Sequence, residues 1–155
     1  MKKTDETRFK EIITECADWL IHKNQNQDGS FKDSLKSGCI FEISQAILSL
    51  LKFGEKENNN GARESAIKCG DWILKQQARS KDKNVDGLWI TPEYGKNLVV
   101  ISDTIESLWG ILELYRHTQQ KKYLRSSSRA FEAVQRARVR PGNMWVSKGG
   151  IQARV

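Results

Sequence analysis

Long apolar stretches are missing from this sequence, because its apolar residues occur in runs of only a few. A helix that spans a bilayer needs about 20 mostly apolar residues, so no membrane-spanning helix is predicted. The N-terminus, MKKTDETRFKE, turns polar and acidic where a secretory signal peptide would turn apolar. We therefore expect a cytoplasmic protein.

Cysteine and histidine are scarce, with three and two residues respectively. Cys16, Cys39 and Cys69 are odd in number, lack CxxC spacing and lie in apolar patterns, which favours reduced core thiols over disulfides or metal ligands. His22 and His117 are isolated and lie near predicted helix ends, where a cation interacts favourably with the helix dipole. No phosphate loop, HExxH, GxSxG or EF-hand pattern occurs. We expect neither a metal nor a cofactor.

Acidic residues are scarce only near the C-terminus. Residues 119 to 155 contain nine Lys or Arg and one acidic residue, so they account for the whole net charge of +7. Arg136, Arg138 and Arg140 alternate along the chain instead of stacking at helical spacing, and no aromatic-rich nucleic-acid signature accompanies them. Binding to a polyanion is one interpretation of this basic stretch, although nucleic acid is disfavoured. The simpler interpretation is that the stretch forms a solvated face or has its counter-charges elsewhere in the fold.

Internal repetition, by contrast, is abundant. The segment CADWL at 16–20 returns as CGDWI at 69–73, and ISQAILSL at 43–50 returns as ISDTIESL at 101–108, with five of eight positions identical. DGSF at 28–31 matches DGLW at 86–89, and PGNMW at 141–145 is a weaker third copy. A duplicated helical hairpin is therefore predicted.

The two helices of each unit differ in their apolar pattern. The first carries a single apolar stripe, whereas the second is apolar around much of its girth, which is typical of an inner helix. Polar breakers at 54–61 and 117–122 end the hairpins. The prediction is one all-α domain over 1–155 without strands: repeat 1 at about 7–53, repeat 2 at about 61–118 and a half repeat at about 121–155.

Each turn between outer and inner helix combines Asp-Gly or Pro-Gly with an aromatic residue. Glycine permits the positive φ of such a turn. Phe31, Trp89 and Trp145 are expected to fold back as wedges between units. The glutamines before the turns can bond to exposed backbone groups at helix ends, and they are Gln25 or Gln27, Gln77 and Gln135. The alternative is an aromatic platform for a substrate, formed by Trp89 and Trp145.

These features resemble the repeats of α/α-toroid proteins. That superfamily includes terpene cyclases and protein prenyltransferases with QW-type motifs, and six-hairpin glycosidases, polysaccharide lyases and sugar epimerases. SDTIESLWGILELYRHTQQKKYL at 102–124 is more similar to the sugar-acting branch. The Asp-rich acid motif of squalene-type cyclases is absent, and two isolated histidines cannot form the prenyltransferase zinc site. The resemblance covers the whole chain but is architectural, and one fold hosts unrelated chemistries.

One acidic pair differs between the repeats. Asp103 and Glu106 are spaced i and i+3, so they share a helix face, and their counterparts 58 residues earlier are Gln45 and Leu48. Such a pair could protonate a glycosidic oxygen, abstract a sugar proton or bind hydroxyls, and Asp103 and Glu106 are the catalytic candidates. The competing interpretation is a helix cap, because Asp-x-x-Glu also suits a helix start.

The loop before this helix supplies further candidates for substrate binding, Glu93 and Tyr94. Their competing interpretation is ordinary loop polarity. Weaker candidates of the same kind are Asp28, Asp33 and Asp86. The basic residues Arg138, Arg140 and Lys148 would suit an anionic sugar.

The spacing of the repeats also suggests an open arc. The next inner helix is expected about 15 residues after Gly142, near position 157, and toroids close with about six hairpins, of which two and a half are present. Three explanations stay open: a missing C-terminal part of the same polypeptide, self-association, or a short solenoid.

The functional predictions follow from the resemblance. It implies a carbohydrate-active protein of hydrolase, lyase or epimerase type. This chain is expected to lack part of the active site. An isoprenoid cyclase-like protein and a non-catalytic helical-repeat binding module are the alternatives.

Overall fold

Five α-helices dominate the computed structural model, which describes residues 4–32, 39–92, 98–137 and 152–154. They are α1 (Thr4–Asp18), α2 (Ile40–Lys56), α3 (Asn60–Lys75), α4 (Ile101–Thr118) and α5 (Lys121–Arg136). A π-helical turn, Trp19–Asn24, continues α1 directly. The all-α prediction is confirmed.

The predicted breakers are shorter than expected. Helix α2 continues through Lys56 and ends before Asn58, which has a φ of 50°. Asn59 then caps α3 by accepting a hydrogen bond from the Ala62 backbone N–H at 2.9 Å. Helix α4 continues through Thr118, and Gln119 ends it in the left-handed conformation with a φ of 56°.

Helices α2 and α4 pack directly against each other at the centre of the fold. The Ser44 hydroxyl of α2 donates to the Ser107 carbonyl of α4 at 3.2 Å. Gly110 lets the helices approach, because a Cβ there would lie 2.7 Å from the Ser44 carbonyl oxygen. Helix α3 packs on α2 and α5 packs on α4. The fully buried Ile47 and Ile111 belong to the core that these helices share.

Helices α3 and α5 also meet through the aspartate of the repeated CxDW motif. The Tyr123 hydroxyl of α5 donates to Asp71 Oδ1 of α3 at 2.8 Å, and the Lys122 ammonium also pairs with Asp71. Tyr123 is fully buried, and burial raises its pKa above the ordinary value. The motif therefore holds two helices together.

The two Asp-Gly turns make matching contacts. Gln25 Nε2 donates to the Ser65 carbonyl at 3.0 Å, and Gln77 Nε2 donates to the Ser126 carbonyl at 2.9 Å. Each serine hydroxyl donates back to the same glutamine, at 2.8 and 3.1 Å. The predicted glutamine–backbone bonds are confirmed for Gln25 and Gln77, although these acceptors, Ser65 and Ser126, lie inside α3 and α5 and not at a helix end.

The aromatics beyond these turns behave as the predicted wedges. Trp89 is fully buried in the shared core, and Phe31 packs against the same core. A second apolar cluster fills the longer turn between α3 and α4, with α5 covering it. Its buried members are Ala78, Val85, Leu88, Val99, Ile101, Ala133 and Val134.

Helix α1 departs from the predicted pattern. Of its described side chains, 7–18, only Ala17 is buried. Trp19 is 56% exposed, whereas Trp72, its counterpart in the second CxDW copy, is 7% exposed. The physical reason is that α3 packs on α2 along most of its length, while the apolar stripe of α1 is covered only at its C-terminal end.

Two further expectations need correction. A short antiparallel ladder joins β1 (Leu98–Val100) to β2 (Gln152–Arg154), although no strand was predicted. Backbone groups in loops also need partners, and this ladder supplies them. Of the three cysteines expected in the core, only Cys69 is buried, and burial raises its thiol pKa to about 12. Cys39 is partly buried, and Cys16 is exposed.

Candidate functional site

The candidate acids lie on the first two turns of α4. The helix begins at Ile101 because β1 runs straight into it, and its N-cap position is Val100, whose side chain makes no cap. Asp103 is therefore already inside the first turn, so the capping-box interpretation of Asp103 and Glu106 is wrong. A carboxylate in the first turn is still favoured by the helix dipole.

Asp103 and Glu106 are electrostatically coupled. Asp103 is partly buried and accepts a hydrogen bond from the Ser102 hydroxyl at 3.3 Å, while Glu106 is exposed. Burial raises the pKa of Asp103 above its ordinary value. The Ser102 hydrogen bond opposes this effect, and the negative charge of Glu106 adds a smaller raising effect. Within residues 7–32, 39–92 and 99–137, no cationic side chain pairs with either acid.

Glu113, two turns further along α4, shows the contrasting situation. Arg116 donates to it at 2.6 Å, and His117 Nε2 lies 3.3 Å from it. The Arg116 hydrogen bond holds the pKa of Glu113 below its ordinary value. Its charge is thus neutralised locally, whereas the charge of the Asp103 and Glu106 pair is available to a ligand.

Trp89 cannot serve as the predicted substrate platform, because the structure leaves none of its surface accessible. Its backbone N–H contacts the Thr104 hydroxyl of α4 at 3.3 Å, so this residue supports the helix that carries the acids. The other predicted binding residues, Glu93, Tyr94 and Trp145, lie outside the described residues, as do Asp33, Arg138, Arg140 and Lys148.

The weaker aspartate candidates are occupied by turn contacts. Asp28 accepts from the Ser30 hydroxyl at 2.7 Å, and Asp86 accepts from the Ser80 backbone at 3.1 Å. Arg129 of α5 also pairs with Asp86 at 2.6 Å. These acids stabilise the turns, and the basic C-terminal stretch finds part of its counter-charge here.

An exposed aromatic residue, Trp109, was missed as a candidate. It lies one turn after Ile105 and close to Leu112, and together these residues form an apolar stripe that we call the α4 stripe. Trp109 is 67% exposed. The repeat could have revealed it, because its counterpart 58 residues earlier is the buried Leu51, so Trp109 occupies a contact position.

A groove between α1 and α2 is the second unexpected surface. It has a volume of about 490 Å³ and is lined by Phe9, Lys10, Ile13, Thr14, Ser49, Lys52, Phe53, Lys56 and Glu57. We call it the α1–α2 groove. Its floor is apolar, and of the three lysines on its rim Lys10 pairs with Glu57 and Lys52 pairs with Glu55. An apolar group would therefore suit it.

Two general findings bear on the chemistry. Among the residues that the structure describes, no group of three or more His, Cys, Asp or Glu side chains is arranged to hold a metal. No described helix combines the length and the hydropathy that crossing a bilayer would need.

Comparison with known proteins returned no relatives. No family model, no curated protein and no solved structure matches the chain. The α/α-toroid resemblance and the activity that it implies therefore stay predictions, and the class of protein that the fold itself defines is a mostly helical one.

Proposed function

We propose that this chain is part of a carbohydrate-active protein built on α/α-toroid repeats, in which Asp103 and Glu106 contact the sugar. The observation that carries the proposal is the coupled pair itself. Neither acid caps the helix or pairs with a cationic side chain in the described part of the chain, although Asp103 accepts a hydrogen bond from Ser102 and is favoured by the helix dipole. A carboxyl group with a raised pKa and no cationic partner is a functional candidate.

The chemistry of sugars suits this pair. Protonating a glycosidic oxygen requires a carboxyl group that keeps its proton, which a raised pKa favours, while a second, ionised carboxylate can act as base or nucleophile. Asp103 has the raised pKa, and Glu106 is the more exposed partner. We therefore assign the acid role to Asp103 and the base role to Glu106.

The arrangement of the helices supports the toroid part of the proposal. The matching turns at Gln25 and Gln77 each tie one hairpin to the following helix by the same hydrogen bonds. Helices α2 and α4 contact each other directly, while α3 and α5 pack on them. Such an arrangement, continued around an axis, gives an inner ring of even-numbered helices.

Position within the repeat supports a role on the inner side of that ring. Gln45 and Leu48, the counterparts of the acids on α2, are exposed and partly exposed, although neighbouring positions on the helix are buried. The same side of both central helices is thus left accessible. Acids at these positions of α4 would project into the toroid interior.

Binding of carbohydrate tests the proposal directly. Asp103→Asn and Glu106→Gln should abolish the binding or turnover of uronate-containing polysaccharides by the whole chain. Glu132→Gln on α5 is the matched control, because it removes an exposed helical acid away from the pair. Titration calorimetry and release of reducing ends are the two readouts. A chain that binds no carbohydrate, or variants that bind as well as the control, would exclude the proposal.

A second candidate is a helical-repeat module that binds another protein. The observation that favours it is the α4 stripe, because exposed apolar patches rimmed by polar residues mark interaction sites. Trp109→Ser would then abolish capture of the partner and leave sugar binding unchanged, which distinguishes the two candidates.

A further inference from the structure

The α4 stripe is the first of two surfaces that fit each other. In the preceding repeat, Ile47 and Leu51 occupy the positions of Ile105 and Trp109, and both are buried. They lie on the same side of α2 as Ser44, which touches α4. The α4 stripe is therefore the repeat of a helix-packing surface. In this chain its Trp109 and Leu112 are exposed, while Ile105 is partly buried against the second apolar cluster.

The α1–α2 groove is the second surface, and it lies on the other side of α2. Ser49, Lys52 and Phe53 line it, whereas Ser44 faces α4. Across the groove α1 presents Phe9 and Ile13, which are 64% and 54% exposed. We call α1, α2 and α4, with α3 and α5 packed on them, the helix row. The α4 stripe lies uncovered at one end of this row, and the α1–α2 groove lies unfilled at the other.

The sizes of the side chains match across these two surfaces. Where α2 meets α4, Gly110 lets α4 come close to the face of α2 that carries Ser44 and Leu51. The counterpart of Gly110 on α2 is Lys52, which keeps any docked helix further away. On the α4 stripe, Trp109 stands where α2 has Leu51. Its larger side chain would bridge the wider gap that Lys52 leaves between the two helices. The lysine stem and ammonium can also cover an indole ring.

The charges also match. The rim of the groove includes Lys10, Lys52 and Lys56. Lys10 pairs with Glu57 and Lys52 with Glu55, whereas no described acid pairs with Lys56. The helix that carries the α4 stripe exposes the acid Glu106. Opposite charges around an apolar contact speed encounter and select against wrong orientations. The occupant that matches the groove best is therefore a second copy of this chain.

We propose that copies of this chain associate head to tail, with Trp109 of one copy seated in the α1–α2 groove of the next. The contact is heterologous, because two different surfaces meet, so repetition gives a ring if the rotation closes and a filament if it does not. The proposal does not depend on carbohydrate activity. It explains why apolar side chains remain exposed at both ends of the helix row.

Sedimentation velocity of the whole chain over a concentration series tests the association. The wild-type chain should form oligomers, and Trp109→Ser should weaken each contact by about thirtyfold or more, as expected for a central tryptophan. Ile13→Asp, placed in the groove, should do the same. Phe131→Ser is the matched control, because Phe131 is an exposed aromatic on α5 outside both surfaces.

Mixing the two variants gives the decisive result. The Trp109→Ser chain keeps an intact groove and the Ile13→Asp chain keeps an intact stripe, so the mixture should form a 1:1 dimer that cannot grow. Far-ultraviolet circular dichroism checks that each variant folds, and Phe9→Asp replaces Ile13→Asp if that chain does not. A monomeric wild type, a mixture without heterodimer, or equal weakening by Phe131→Ser would overturn the proposal.

Discussion

Two turn glycines illustrate how single residues determine this fold. Gly29 and Gly87 have φ values of 99° and 101°, a region that side chains with a Cβ rarely occupy. Both also lie against a neighbouring helix: a Cβ on Gly87 would be 2.8 Å from the Arg129 carbonyl oxygen of α5. The turn and the helix packing thus depend on the same missing side chain.

We expect Gly87→Ala to lower the free energy of unfolding by at least about 2 kcal/mol, because backbone strain and a backbone clash add. Urea denaturation followed by circular dichroism measures this. Gly61→Ala is the control, since Gly61 is exposed in the first turn of α3 and has no positive φ. A Cβ there would lie 3.3 Å from the Asn59 side-chain oxygen and not against the backbone of another helix, so this change should cost much less than Gly87→Ala. Equal effects of both substitutions would contradict the argument.

Asp86 should contribute a stability that disappears in acid. Its pKa is held below the ordinary value by the Ser80 backbone N–H and then by the charge of Arg129. The folded chain therefore holds fewer protons on this carboxyl than the unfolded chain, so the stabilisation is present above the unfolded pKa and is lost as pH falls through the folded pKa. Asp86→Asn should lower the melting temperature at neutral pH and match wild type in strong acid.

Asp103 should show the opposite dependence. Its pKa is raised, first by burial, so the folded chain holds more protons on it and stability falls as pH rises through its titration. Asp103→Asn should raise the melting temperature at neutral pH and make no difference well below the ordinary aspartate pKa. Thermal denaturation of the Asp86→Asn and Asp103→Asn chains, measured from strong acid to neutral pH, checks both predictions. Shifts of the same sign at neutral pH would refute the assignment.

Residue-level predictions from the sequence succeeded where the cause is local. The turn glycines and the glutamines beside them follow from repeated short motifs, whose geometry is set by neighbouring residues. The ligand role of Trp89 failed because burial depends on helices distant in sequence. The cap at Asp103 failed because β1 sets where α4 begins, and no strand was predicted.

At the scale of helices, the crossing of α2 and α4 positions the acidic pair. Ser44 and Gly110 meet at this crossing, and the carbonyl oxygen of Ser44 leaves no room for a Cβ. Propensity alone favours Gly110→Ala by about 1 kcal/mol. Overpacking against backbone costs about 1–3 kcal/mol, so the clash should win.

Gly110→Ala should therefore destabilise the chain despite the better helix former, and Leu112→Ala on the exposed side of α4 should change stability little. The free energy of unfolding in urea measures both. A stabilised Gly110→Ala chain would mean that α2 and α4 do not pack this closely.

Helix-level predictions were right about which segments form helices and about the burial of α2 and α3. They were wrong about α1, whose apolar stripe is as regular as that of α3 but is largely exposed. Periodicity identifies the apolar face of a helix, but not whether another segment of the same chain packs against that face. Only the packing of the helices in the fold distinguishes the two cases.

At the scale of the whole molecule, stability should be uneven along the helix row. Seven residues of α3 are buried, whereas Ala17 is the one buried side chain among residues 7–18 of α1. Local opening is easiest where few apolar contacts are broken. In dilute solution, amides of α1 should therefore exchange with deuterium about tenfold faster or more than amides of α3.

Protein concentration should change this result if copies associate as proposed. A tryptophan seated in the α1–α2 groove covers Phe9 and Ile13, so exchange in α1 should slow as concentration rises, while exchange in α3 should not change. Hydrogen exchange followed by mass spectrometry at low and high concentration measures both helices in one experiment. Trp109→Ser should remove the concentration dependence and keep the fast exchange of α1. Protection of α1 equal to that of α3 at every concentration would show that the helix row is closed within a single chain.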